Sequence, residues 1–387
     1  MSQESSRAEA MCVVCGTGEP LKEVPGFKNL LRITSDCRPF KAGGYLGVCG
    51  QCGAVQKRVD ANWLGEIGGI YAQYEAYYQS GGDEQIVMDR ETGLPRRRSD
   101  VLLEKLSRHR DWPREMDALD VGCGNGATLR AMSNVQAAWR LYGFELGSGA
   151  LTHLQEISQF QQLYTGAIEN IQREFSLVTM IHSLEHFPSP HEALTSLSGC
   201  VGKGQLFIEV CNVEDNPFDI LVADHLMHFS PNSLRRLLQR AGYSVSSVAT
   251  DWVTKEISAL AKCAVLEDEL LPQVDVDAMY ERIIRYVSWL NQLVANAQAC
   301  AASGKGFGIF GTSIAATWLA QQMDEKLTFF VDEDSSRVGK EHMGRPILHP
   351  SQLATDATVY LALAPYVAQR IVQRLSDLRI TWVMPPD

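Results

Sequence analysis

Residues 118–126 read Ala118-Leu119-Asp120-Val121-Gly122-Cys123-Gly124-Asn125-Gly126. An apolar, β-branched run ends in a glycine-spaced loop, and a helix-like run, Ala127 to Met132, follows at once. The order predicts a strand, a tight turn and a helix N-terminus. Gly122, Gly124 and Gly126 carry no Cβ, so the backbone there can approach a ligand closely. Asp120 sits on the strand just before the turn, and a second apolar run, Leu141 to Phe144, ends in Glu145. Strand, glycine loop, helix, strand and acid in this order predict an α/β chain with a Rossmann-like, doubly wound core. Ligands of such sheets bind at the carboxyl ends of the strands.

A glycine loop alone serves NAD, FAD and S-adenosylmethionine (SAM) sites alike. With Asp120 before the loop and Glu145 ending the next strand, the segment resembles the SAM-binding signature of class I methyltransferases. The resemblance implies that Asp120, Gly122, Gly124 and Gly126 cradle the cofactor and that Glu145 holds its ribose hydroxyls. It also implies that the turn Gly166–Asn170, with Ile168, meets the adenine. A nicotinamide site and a ligand-free turn are the alternatives.

The bulk numbers set limits on the rest. A chain of 387 residues is too long for one core and suggests two or three domains. A net charge of −11 disfavours nucleic acid as a target, since binding phosphates calls for a basic face. The run Arg96-Arg97-Arg98 is short and reads as a solvated helix start. No stretch reaches the roughly 20 apolar residues of a membrane span. Met1 to Ala10 are polar, lack a signal-peptide core and read as a disordered lead-in. A cytoplasmic location is the expectation, and there the ten cysteines are free thiols or metal ligands.

Two Cys-x-x-Cys turns, each followed by glycine, occupy the N-terminal region: Cys12-Val-Val-Cys15-Gly and Cys49-Gly-Gln-Cys52-Gly. Two such turns suit tetrahedral zinc, which needs two thiolates from each side and is structural when all four positions are sulfur. Cys37, between the knuckles, reads as a small buried hydrophobe. Next, Tyr71, Tyr74 and Tyr78 recur at helical spacing, either as packing or as a lid over a polar ligand.

The doubly wound pattern continues. An amphipathic helix over 99–114 precedes the first strand, with Val101, Leu102, Leu103 and Leu106 inward. A helix near 148–160 follows Glu145. The strand Leu177 to Ile181 opens onto His182, which therefore faces the crevice or caps the following turn. The strand Gln205 to Val210 leads to a segment holding Phe218, Asp219, Asp224, His225, His228, Phe229 and Ser230. Asp224 beside His225 could orient the ring. A helix from Ser233 to Ala241 comes next, then a long one over 275–302. The segment Gly304 to Ser313, the strand Leu327 to Val331 and Asp332 form a second glycine-loop unit.

Taken in order, these features resemble sugar C-methyltransferases acting on nucleotide-linked keto-sugars, across nearly the whole chain. The matching segment of that family reads approximately Phe-Asp-x-Ile-Tyr-His-Glu-His-x-Ser-Tyr-Phe-Ser. The resemblance implies that His225 is the base removing the proton next to the ketone, that Asp224 supports it, and that His182 lies in the pocket. Tyr77, Ser80 and His228 are the candidate substrate contacts, and the resemblance gives the C-terminal unit the nucleotide part of the substrate. Val222 and Ala223 replace a Tyr and a His of the family, and His228 replaces a Tyr. An oxygen or nitrogen acceptor is therefore the alternative, and a non-catalytic module binding SAM or a nucleotide-sugar a further one. The expected organisation is a zinc-binding module and tyrosine-rich segment over 1–80, a SAM-dependent core over 81–250, a helical connector over 251–302 and a Rossmann-like substrate-binding domain over 303–387. The partner is a small molecule, neither nucleic acid nor membrane, and the protein a monomer or homodimer.

Overall fold

The computed structural model describes residues 11–74, 84, 86–88, 95–109, 112–264, 273–302 and 306–386. A seven-stranded sheet organises the core, in the order Phe160–Thr165, Arg140–Glu145, Asp117–Val121, Leu177–Ile181, Gln205–Cys211, Glu256–Cys263, Tyr243–Ala249. The first five strands run parallel. Glu256–Cys263 runs antiparallel to both its neighbours. The winding reverses between Asp117–Val121 and Leu177–Ile181, and at such a switch point the loops part and leave a crevice. Asp117–Val121 is buried along its whole length, as a central parallel strand requires.

The flanking helices follow their apolar periodicity. Arg98–His109 buries Val101, Leu102, Leu103 and Leu106. Pro231–Arg240 begins with a reciprocal cap between Ser230 and Ser233. Two sequence expectations fail. The helix near 148–160 is only Leu151–Gln155, and Phe160–Thr165 is an edge strand. Its half-exposed Gln-Gln-Leu-Tyr sequence hid it, because an edge strand has only one neighbour to bury it. Glu256–Cys263 belongs to the core sheet, so the core extends to residue 263 and the helical connector is the single helix Val276–Ala301.

Around the cysteine knuckles, Leu21–Glu23, Gly47–Cys49 and Val55–Gln56 form a small antiparallel sheet. Its fourth strand is Met227–His228, contributed by the core. The helix Ala61–Tyr71, capped by Asp60, buries Trp63, Ile67 and Ile70 and ends at Tyr71. Tyr74 therefore lies beyond it and exposed, not on a shared helical face with Tyr71. Tyr77, Tyr78 and Ser80 lie outside the described residues. The stripe Ile283, Leu290 and Leu293 on the long helix packs in one cluster with Phe27 and Ile33 of the N-terminal module and Trp318 of the C-terminal unit. That unit holds a six-stranded, mostly parallel sheet whose central strand is Phe307–Phe310. Among the described residues, no helix is long and apolar enough to cross a membrane.

Candidate functional site

The glycine loop closes the carboxyl end of Asp117–Val121. Gly122 and Gly126 adopt φ of 78° and 83°, the left-handed region that favours glycine. A Cβ on Gly122 would stand 2.6 Å from Ser183 Cβ, and one on Gly126 would stand 2.6 Å from Leu154 Cδ2. Glu145 folds back over the loop, where its Oε1 accepts from the Gly124 amide at 2.7 Å. Asp120 is buried and accepts from Thr179 Oγ1 at 2.6 Å, bracing the loop from beneath. Burial pushes its carboxyl up to about 7; Thr179 opposes the rise and Glu145 adds to it. This donor set fits SAM, with a glycine cradle for the amino-acid tail and an acid at the next strand end for the ribose. Ile168 is the residue expected against the adenine. Its side chain is buried with Phe144, Ile171 and Phe175 in the main core.

The histidines cluster near the crevice. His225 is buried, and its Nδ1 lies 2.9 Å from Asp219 Oδ1. His228 Nδ1 lies 2.8 Å from the other carboxylate oxygen, Asp219 Oδ2. One carboxylate thus orients two rings. Burial alone would raise Asp219, but the charges and hydrogen bonds of His228 and His225 hold it well below the usual carboxylate range. Two sequence assignments are corrected here. Asp224 does not support His225: it accepts from the Ser35 amide at 2.9 Å and Ser35 Oγ at 2.5 Å, and lies 3.3 Å from His186 Nδ1. Residues adjacent in an irregular turn point apart, whereas the short helical turn Asp219–Leu221 carries Asp219 under the ring. Nor can His228 touch a substrate. It is fully buried in a strand paired with Val55, and burial pulls it down to about 4 despite Asp219. His186 stands edge-on to His225, with ring centroids 4.7 Å apart.

His182 follows the strand Leu177–Ile181, with φ 49° and a side chain one-fifth exposed. Its Nδ1 lies 3.2 Å from Glu185 Oε1, and its Nε2 lies 3.6 Å from both Glu209 Oε1 and Glu256 Oε2. Sequence reasoning missed Asp219 as the orienting acid, and missed Glu185, Glu209 and Glu256. A carboxylate inside an otherwise apolar strand was the available signal for Glu209, since a buried charge demands a partner.

In the N-terminal module, Cys12 Sγ lies 3.6 Å from Cys52 Sγ and Cys15 Sγ 3.6 Å from Cys49 Sγ, and all four sulfurs lie within 4.8 Å of one another. A tetrahedron with Zn–S bonds of about 2.3 Å has edges of roughly 3.8 Å, so the donor set fits zinc. Gly16 and Gly53, at φ 71° and 68°, close the two knuckles. Cys37 stays outside this group, and burial pushes its thiol up to about 12. A cavity of about 300 Å³ lined by Leu106, Trp112 and Gln205 is at the other end of the sheet, because Gln205 begins its strand. It is not the crevice.

Residues 94–248 match a family model described as a methyltransferase domain. The chain carries a class I SAM-dependent methyltransferase domain. A ubiquinone biosynthesis O-methyltransferase of Pseudomonas fluorescens strain Pf-5 is 26% identical over 182 residues, which is 43% of this chain and 77% of the relative. Among solved structures, an O-methyltransferase from neocarzinostatin biosynthesis, in complex with SAM and 2-hydroxy-5-methyl naphthoic acid, has a TM-score of 0.36 at 15% identity. That match covers 43% of this chain and 56% of the other. A SAM-dependent methyltransferase from Clostridium acetobutylicum ATCC 824 has a TM-score of 0.37 at 14% identity, covering 52% of this chain and 98% of the other.

Proposed function

We propose that this methyltransferase transfers the methyl group of SAM to a small acceptor whose acidic C–H adjoins a carbonyl, with a nucleotide-linked keto-sugar as the favoured class. The carrying observation is the 2.9 Å contact between Asp219 and His225 Nδ1. With Nδ1–H donated to the carboxylate, Nε2 holds the lone pair and can take a proton. SAM, when bound, supplies an electrophilic methyl on its sulfonium. The chain supplies alignment and proton removal. Alignment at the crevice can lower the barrier by about 7–11 kcal/mol. His225 takes the acceptor proton, Asp219 fixes its tautomer and balances the imidazolium that forms, and His182 contacts the oxygen on which charge develops. The four N-terminal thiols hold a structural zinc with no part in the bond changes, since sulfur fills every coordination position.

His225→Ala should lower kcat by about 10²–10⁴-fold, the usual contribution of a placed base, while SAM affinity by calorimetry stays near that of the parent. Normal turnover by the variant would remove His225 from this role. A second reading, O-methylation, is favoured by the O-methyltransferase relatives and by Val222, which is buried and offers no phenol to the crevice. NMR of the product separates a C–CH₃ from an O–CH₃.

A further inference from the structure

The cluster around His182 holds more charge than binding an acceptor requires. Glu185, Glu209 and Glu256 are all buried, at 1%, 0% and 7% exposure, and they converge on one ring from three elements. Glu185 comes from the turn after the ring's own strand. Glu209 comes from the neighbouring strand, where Ser258 Oγ donates to its Oε2 at 3.1 Å. Glu256 begins the antiparallel strand beyond. Glu185 Oε2, Glu209 Oε1, Glu256 Oε2 and His182 Nε2 are buried and make no hydrogen bond. Leaving buried carboxylate oxygens short of partners is expensive, so a positive charge must stand among them. A metal ion could draw on His182, Cys211 and Glu256, whose ligand atoms lie within 4.8 Å of one another. The site already has its cations, however. Arg98 Nε lies 3.7 Å from Glu209 Oε1, and its Nη2 lies 3.8 Å from Glu256 Oε1. Lys255 adds a charge beside Glu256. The third positive charge is the ring of His182.

We propose that Glu209 and Glu256 are positioning residues for methyl transfer: with Glu185 they hold His182 in one orientation and in its charged form, a fixed positive charge beside the acceptor oxygen at the crevice. The two histidines then divide the work. His225, paired with one carboxylate, is the base; His182, with both ring nitrogens turned to carboxylates, supplies charge and cannot be the base. The groups facing His182 are Glu185 and His186 on its own turn, Glu209 and Cys211 on the next strand, Lys255 and Glu256 beyond it, and Arg98 from the preceding helix. Burial and Arg98 alone would lower the ring, but Glu256, Glu185 and Glu209 carry it up to about 10. Burial pushes Glu256 up, against the pull of His182 and Arg98.

The proposal rests on the reading of His182 as the acceptor contact, but its test needs no acceptor. Full-length protein labelled with ¹³C at histidine Cε1 is titrated by NMR, with His182→Gln identifying the signal. The expected result is a ring still charged above pH 9, against about 6.5 for a free histidine. Glu256→Gln and Glu209→Gln should each lower that titration by about one to three units, and the alkaline limb of kcat should move down with it while KM for SAM holds. A His182 that titrates near the free value in the parent, or that is unmoved in either folded variant, overturns the proposal. The parent titration decides even if both variants fail to fold. Failure of the acceptor reading shows elsewhere, as normal turnover by His182→Gln while His182 of the parent titrates above pH 9.

Discussion

Asp219 is the residue on which the candidate base depends. It sits fully inside the protein and gives one oxygen to each of two imidazoles. An asparagine would keep the shape but offer a single acceptor oxygen, so one ring would face an N–H with its own N–H. Asp219→Asn should therefore lower kcat by about 10²-fold or more through the wrong tautomer, and lower stability by about 1–3 kcal/mol through the lost charged hydrogen bond. Asp224→Asn, which loosens Ser35 and His186, should leave turnover higher than Asp219→Asn does, as steady-state kinetics on the pair would reveal. The same residues set the pH response. Asp219 and Asp224 are both held below the ordinary carboxylate range, so the stability they add is present above about pH 4 and fades as the pH falls further. His182 has the opposite sign. With its folded value raised to about 10, its contribution is full below about 6.5 and is lost as the pH climbs towards 10. Melting temperatures measured from pH 7 to 10 should fall in the parent and fall less in His182→Gln.

Among the elements, the glycine turn carries the clearest signal and the sharpest constraint. Gly122→Ala would place a methyl 2.6 Å from Ser183 Cβ at a φ of 78°. Strain of about 1–3 kcal/mol would push the turn out of shape, and SAM affinity by calorimetry should fall by roughly tenfold or more. An unchanged affinity would separate this turn from the cofactor. That turn was legible in the sequence because its period, glycines and acids are all local. So were the strand Leu177–Ile181, the helix Pro231–Arg240 and the two knuckles. The strand Phe160–Thr165 was not, because half-exposed edge strands lose the alternation that marks a strand. Nor was Glu256–Cys263, whose place beside Gln205–Cys211 is set by pairing across distant sequence. The site divides the same way. His225 stood out next to an acid, but its real partner is six residues back, brought under it by one turn of helix that adjacency cannot report. The carboxylates around His182 come from three separate elements and leave no motif at all.

For the whole molecule, the N-terminal module is joined to the turn that carries the base. Lys57, fully buried, donates to the carbonyls of Val222 and His225, the latter at 2.8 Å. Trp63 Nε1 donates to Ala223 O at 3.1 Å, and Ser35 holds Asp224. Met227–His228 completes the module's own sheet against Val55–Gln56. Arg240 reaches from the core to the carbonyls of Val13 and Val14, inside the first knuckle, at 3.0 and 3.2 Å. The strand Gly47–Cys49 that ends in a cysteine of the second knuckle pairs directly with Val55–Gln56. Order at the sulfurs is thus transmitted in two short steps to residues 222–228. A structural zinc binds with an apparent energy on the order of 10–16 kcal/mol, which doubles as folding energy for a module this small. Among the described residues, the hydrogen bonds that hold the glycine turn, Asp120 and Glu145 come from the core itself, and the module meets the strands beneath them only through apolar packing. Cys49→Ser, or removal of metal by a chelator, should therefore separate two functions. SAM should still bind with an affinity within about threefold of the parent, and turnover should fall by about 10²-fold or more, the range expected when a base is lost. Elemental analysis before and after chelation would show whether zinc leaves. Calorimetry with SAM and product formation on the same sample would show which function goes with it. Loss of both together would mean that the module holds up the core itself, and retention of both would mean that the base is held without it.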